Sequence, residues 1–134
     1  MRLFSFVVLF LSFVGLSSPL MAGEPKVYFL SPVNGETVSQ TFTVRFGLKG
    51  MGVAPAGVEK DNTGHHHLII DAPLPDMSEP IPADEHYRHF GGGQTEVTLT
   101  LKPGKHTLQL LLGNAFHYPH DKPVHSKVIT VIVE

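Results

Sequence analysis

No segment beyond residue 22 keeps apolar residues at i, i+3, i+4 and i+7 for three turns. Short apolar runs recur instead, parted by Gly, Pro and Asn, and that pattern favours strands over helices. Thr41 to Leu48 is the clearest case: Phe42, Val44, Phe46 and Leu48 point one way, Thr43 and Arg45 the other. Such alternation predicts a half-buried strand. Six further runs are read as strands, giving seven in all: 26–30, 41–48, 65–71, 86–90, 95–101, 105–112 and 126–133. Lys102-Pro103-Gly104-Lys105 is a hairpin turn with Pro at i+1 and Gly at i+2, as a type II turn requires. Ser31 to Glu36 holds a Pro and an Asn-Gly pair and is a turn for related reasons. Ala72 to Ala83 contains four prolines and cannot lie in the middle of a sheet, so it is expected as an extended surface crossing. Seven short strands in about 110 residues predict an all-β, immunoglobulin-like sandwich.

The first 22 residues read differently. Arg2 precedes an apolar run from Leu3 to Leu16, Ser17-Ser18-Pro19 breaks it, and Ala22-Gly23 offers a small-residue cleavage point. This is the pattern of a secretory signal peptide. The run is shorter than the ~20 residues a bilayer span needs, so cleavage is expected rather than anchoring. The mature chain is then 23–134, one domain, periplasmic or extracellular, with no membrane span. It carries nine basic and twelve acidic residues, a net charge of −3 with neutral histidines. With no basic run, nucleic acid is not expected as a partner.

Composition matters most for the histidines. There are nine, with no cysteine and no tryptophan. Three stand together in Gly64-His65-His66-His67-Leu68-Ile69-Ile70-Asp71, at the entrance of an apolar strand. Imidazole suits copper and zinc near neutral pH, and the lack of thiolates excludes a blue-copper centre. In a sandwich the connecting loops gather at two ends. His65, His89, His117, His120 and His125 are expected at one end, His106 and Asp71 at the other. Alternation puts His65 and His67 on one face and, if Leu68 and Ile70 face the core, turns His66 inward. His65 and His67 are therefore candidate metal ligands, with His117 and His120 completing the set and His89 or His125 as alternate donors. Gln94 and Asp121 are candidates for orienting the rings. His86 and His89 form another close pair. The competing expectation is a metal-free envelope interaction or accessory module in which the histidines bond to carbonyls of the long loops, since buried polar rings need partners. No G-x-S-x-G, phosphate loop or His-Glu-x-x-His occurs. An enzyme would have to be metal-dependent, and no sequence feature supplies a substrate cleft.

Three stretches taken together carry a resemblance: His65 to Asp71 with its preceding Gly64, then His89-Phe90-Gly91-Gly92-Gly93-Gln94-Thr95-Glu96, then Leu101-Lys102-Pro103-Gly104-Lys105-His106-Thr107-Leu108-Gln109-Leu110. The combination resembles the small exported bacterial proteins grouped as domain of unknown function 4399, over about His65 to Glu134. The resemblance implies a single exported domain, in a Gram-negative periplasm or on an extracellular face. It implies no activity.

Overall fold

The computed structural model describes residues 23–134; the leader read at 1–22 lies outside them. Nine strands and no helix make up the described chain: β1 (Lys26–Ser31), β2 (Thr37–Val38), β3 (Thr41–Lys49), β4 (Gly52–Val53), β5 (Thr63–Ile70), β6 (Tyr87–His89), β7 (Glu96–Thr100), β8 (Gly104–Gly113) and β9 (Ile129–Val133). The seven strands expected from the sequence are all present, with ends shifted by a few residues. Two more, β2 and β4, are two residues long and run parallel to β9 and β5. Among the described residues no helix is long and apolar enough to cross a membrane.

The strands form two sheets. One is antiparallel with order β1-β3-β7; the other has order β2-β9-β8-β5-β4, with β6 also pairing β5. The alternating strand β3 buries Val44 and Phe46 and turns Arg45 to solvent. Its outer face is closed by cross-strand pairs, Thr41 with Thr100, Thr43 with Thr98 and Arg45 with Glu96, each a modest contribution to register. From the larger sheet, Leu68 and Ile70 of β5 stand opposite Leu110 and Leu108 of β8. These residues, together with Val27, Val44, Phe46, Leu99 and Val131, form one buried cluster shared by both sheets. Each fully buried Leu contributes about 1.5–3 kcal/mol by leaving water, so this shared cluster is what holds the sandwich-like pair of sheets together.

β5 is apolar on its other face too. Ile69 and Leu111 lie there with Ile81, which comes from the proline-rich crossing; Leu74, Met77 and Tyr87 pack around them. The crossing therefore does more than span the surface: it covers the outer face of the large sheet. A strand buried on both faces reads as a continuous apolar run, and Leu68-Ile69-Ile70 is such a run. Tyr87 Oη donates to the Pro73 carbonyl at 2.7 Å and Ile81 N–H to the His117 carbonyl at 2.8 Å, fastening the crossing at both ends.

Candidate metal centre

Strand alternation sorts the three consecutive histidines. His66 turns inward, its ring 5.0 Å from that of Phe46. His65 and His67 share the outer face with Ile69, and both are buried, at 1% and 0% exposure. Their ring centroids are 4.6 Å apart, with the planes tilted by 44°. Across β6, His67 is in register with His89, and those rings meet edge to face at 4.3 Å.

The remaining ring arrives from the turn after β8. Asn114 Oδ1 accepts from the N–H of both Phe116 (2.9 Å) and Tyr118 (3.1 Å). Asn114 also exchanges backbone bonds with His117 and Tyr118. The turn holds His117 at φ 65°, a left-handed conformation uncommon for a residue with a side chain. Its Nδ1 is thereby placed 3.2 Å from Nε2 of His65. One nitrogen from each of His65, His67 and His117 lies within 4.8 Å of the others. His89 stacks on His117 at 4.8 Å between centroids.

Burial decides the electrostatics. It pushes the His65 pKa down to about 4, with neighbouring imidazoles, His117 first, adding to the effect. It pushes His67 down to about 2, again with help from His65, His89 and His117, and it lowers His117. His66 falls to about 4, mainly by burial. Desolvation disfavours the charged ring, so the rings are neutral at pH 7 and each retains a lone pair. Nδ1 of His65 and both ring nitrogens of His67 are buried without a hydrogen-bond partner. Each such group costs roughly 1–3 kcal/mol, a cost that a ligand offering the right chemistry would offset.

His89 has its tautomer set from outside. Its Nε2 lies 2.9 Å from the Pro82 carbonyl, which can only accept, so Nε2 carries the proton and Nδ1 the lone pair. A ring N–H given to a backbone carbonyl is the usual way a metal-ligating imidazole is oriented. His120 is fixed in the same manner, Nε2–H to the Thr63 carbonyl at 2.9 Å, with Nδ1 buried and unpartnered. Its ring lies against Gly64 beside the cluster but outside the converging set.

The other candidates stand elsewhere. His125 is exposed and its Nδ1 donates to the Ser126 carbonyl. His86 is exposed and donates through Nδ1 to the Ile70 carbonyl, so His86 and His89 do not act as a pair. His106 bonds to Asp71 and to the Lys102 carbonyl. Gln94 Oε1 accepts from Gly92 N–H and touches no ring through a hydrogen bond. Asp121 lines a cleft with Met51, His120 and Val124.

Four residues that shape the site were not singled out from the sequence. Asn114 builds the His117 turn, Pro82 orients His89, Ile81 closes the outer face, and Gly113 stands in register opposite His65. Only Gly113 carried a usable signal, as a glycine ending a leucine-rich strand, where a close approach is expected.

Zinc binds imidazole nitrogen at about 2.0–2.1 Å, usually tetrahedrally, which sets ligand nitrogens about 3.3 Å apart. The 3.2 Å between His65 Nε2 and His117 Nδ1 fits that spacing. It is also a hydrogen-bond distance, with one ring donating.

Comparison with known proteins adds the family and a fold. No curated protein matches the chain. A crystal structure of the endo-beta-1,4-mannanase from Thermotoga petrophila is similar in fold, with a TM-score of 0.50 and 17% identity, over 84% of this chain and 20% of that one. This chain thus spans about a fifth of that protein's length, and the likeness concerns architecture alone. Residues 44–134 match the family described as "Domain of unknown function (DUF4399)". That match takes in every ring of the cluster, and the chain belongs to the DUF4399 family.

Proposed function

We propose that this protein binds a divalent transition metal, copper or zinc, and carries or buffers it in the periplasm after export by a cleaved leader. His65, His67 and His117 are the ligands and His89 the fourth donor, through Nδ1. His120 is held in reserve beside them, and His125 takes no part. The immunoglobulin-like reading of the two sheets belongs to the same proposal and is supported by their shared core. One observation carries it: one nitrogen from each of His65, His67 and His117 lies within 4.8 Å of the others, and in the two buried rings Nδ1 of His65 and both nitrogens of His67 have no hydrogen-bond partner. An all-nitrogen set without thiolate suits Zn2+ or Cu2+. The experiment is metal analysis of protein purified without an affinity tag. About one ion per chain is expected, lost in the variant carrying His65→Ala and His67→Ala. Sub-stoichiometric metal, unchanged in that variant, would sink the proposal.

A second reading is favoured by the bonds themselves. His86, His89, His120 and His125 each sit at hydrogen-bond distance from a backbone carbonyl. In that reading the rings brace the loops of a metal-free envelope module that docks on a protein partner. Thermal melting separates the two. A bound cation raises the midpoint with concentration and a chelator reverses it, whereas a bracing network responds to neither.

A further inference from the structure

We propose that the open edge of β1 docks an extended, acidic peptide segment of a partner protein, which adds to the three-stranded sheet as a fourth strand. The site shares no residue with the imidazole cluster and stands whether or not that cluster holds a metal.

β1 ends the sheet β1-β3-β7, so one side of it bonds to β3 and the other is open. The register says which groups face the opening. Phe46 N–H donates to the Thr95 carbonyl at 2.8 Å, on the side of β3 away from β1. Along an antiparallel strand the N–H and C=O of one residue point to the same side, and the side alternates. Phe29 is paired with Phe46 and Val27 with Leu48, so the backbone groups of Val27 and Phe29 turn to the open edge. They bond to nothing else among the described residues. A bare row of donors and acceptors is a template for another strand. The bulge between Phe29 and Ser31, followed by Pro32, ends that row, so the occupant is a short segment.

The edge also has a cleft beside it and a charge. A cleft of about 320 Å3 lies between β1 and the chain entering β9, with Val27, Phe29, Val33 and Ile129 among its walls. Val33 is 65% exposed, and Leu30 and Val128, chain neighbours of lining residues, are 57% and 52% exposed. Exposed apolar residues gathered at one cleft, unlike scattered ones, mark an interaction site. An added strand would turn alternate side chains into the cleft. The charged residues of the lining are Lys26 and Lys127, with no carboxylate. Neither lysine is ion-paired among the described residues. Glu36, in the turn after β1, has its carboxylate bonded to the Val33 N–H. Carboxylates on the occupant complement these two cations. A second copy meeting the cleft through the same surface would bring lysines to lysines.

The probe is a fluorescein-labelled hexapeptide of alternating valine and glutamate, with a valine–lysine peptide as its charge reverse. Fluorescence anisotropy should show saturable binding of the glutamate peptide and binding of the lysine peptide at least about tenfold weaker. Lys26→Glu combined with Lys127→Glu should cost at least about tenfold in affinity. Lys102→Glu combined with Lys105→Glu makes the same change in net charge outside the cleft lining and should cost less than about threefold. Hydrogen exchange at the Val27 and Phe29 amides should slow at least about tenfold under saturating peptide, a response that loose charge attraction does not produce. Circular dichroism checks that each variant is folded; should the Lys26/Lys127 variant fail to fold, exchange in the wild-type protein decides. The inference is overturned by no saturable binding, by equal binding of the lysine peptide, or by binding that leaves exchange at Val27 and Phe29 unchanged. Sedimentation showing a dimer whose Val27 and Phe29 amides are already protected without peptide also overturns it, since a second copy would then cover the edge.

Discussion

His106 Nδ1 stands 2.6 Å from Oδ2 of Asp71, at the end of β5 away from the imidazole cluster. The second nitrogen of that ring faces the Lys102 carbonyl at 2.7 Å. Both nitrogens face acceptors, so the pair holds the ring in its protonated form. The bond to Asp71 is the largest cause of the upward shift in the His106 pKa. A raised folded value means the stabilisation is fully present below the unfolded pKa of about 6.5. It is lost as pH rises through the folded value. Asp71 sits at φ 53°, where Asn is well tolerated, so Asp71→Asn removes the charge without straining the chain. Urea denaturation should show the stability lead of wild type over the Asn variant shrinking as pH rises above about 6.5, by no more than about 1 kcal/mol for a partly exposed pair. Taking the difference cancels the titration of the buried rings, which both proteins share; a difference that does not change with pH would refute the assignment.

The buried rings act in the opposite direction. His65 and His66 have folded pKa values near 4 and His67 near 2, all below the unfolded value. Their contribution is present above about pH 6.5 and is lost as pH falls toward those folded values. Three extra protons on the unfolded chain give a slope of up to about 4 kcal/mol per pH unit. A domain stable by ~5–15 kcal/mol cannot withstand that for long. Metal-free protein should unfold cooperatively between pH 6 and 4 in a circular dichroism titration. Retention of the full pH 7 stability at pH 4 would contradict the burial of these rings.

Asn114 positions His117 without touching the other rings. Asn114→Ala leaves the Phe116 and Tyr118 amides without their acceptor and releases the left-handed turn. The expected cost is about 1–2 kcal/mol of stability, together with at least a tenfold loss of Zn2+ affinity. Asn114→Asp keeps the Oδ1 acceptor and should recover most of both. Equal affinities in the Ala variant and wild type would remove the turn from the site.

The proline-rich crossing ends on the cluster twice, through Ile81 N–H to the His117 carbonyl and His89 to the Pro82 carbonyl. An ion that fixes His117 and His89 fixes the crossing as well. Hydrogen exchange at the Ile81 amide should slow at least tenfold when Zn2+ is added. The Gly35 amide, bonded to the Thr130 carbonyl elsewhere in the fold, should be unaffected. Identical Ile81 exchange with and without bound Zn2+ would uncouple the crossing from the centre.

Much of this architecture was legible because β-strands repeat every two residues. The pattern in 41–48 gave both the strand and its buried face, and the 65–71 run placed His66 opposite to His65 and His67. The two-residue strands β2 and β4 escaped notice because two residues carry no period. The covering of the sheet by 72–83 was hidden because prolines mark what cannot pair in a sheet and say nothing about what lies beneath. Among the site residues, the sequence distinguishes poorly between a ring that converges and one that stands nearby. His117 and His120 are three residues apart in one loop, yet Asn114 turns His117 toward His65 while the Thr63 carbonyl draws His120 aside. His125, equally plausible on paper, is exposed. Those choices depend on single loop hydrogen bonds that no local pattern announces.

β5 is flanked on one side by β8 and on the other by β4 and β6, so His65 and His67 sit on a strand held along both edges. His117 and His89 come from a turn and from a three-residue strand. If the proposed ion is held by all four rings, the pair on this strand and the pair on shorter, less paired segments have a preferred order of letting go. The pair outside β5 would part first, exposing the ion on one side while His65 and His67 still hold it. An acceptor approaching from the turn side would meet a half-released ion, and transfer would proceed in that direction without the sheet opening.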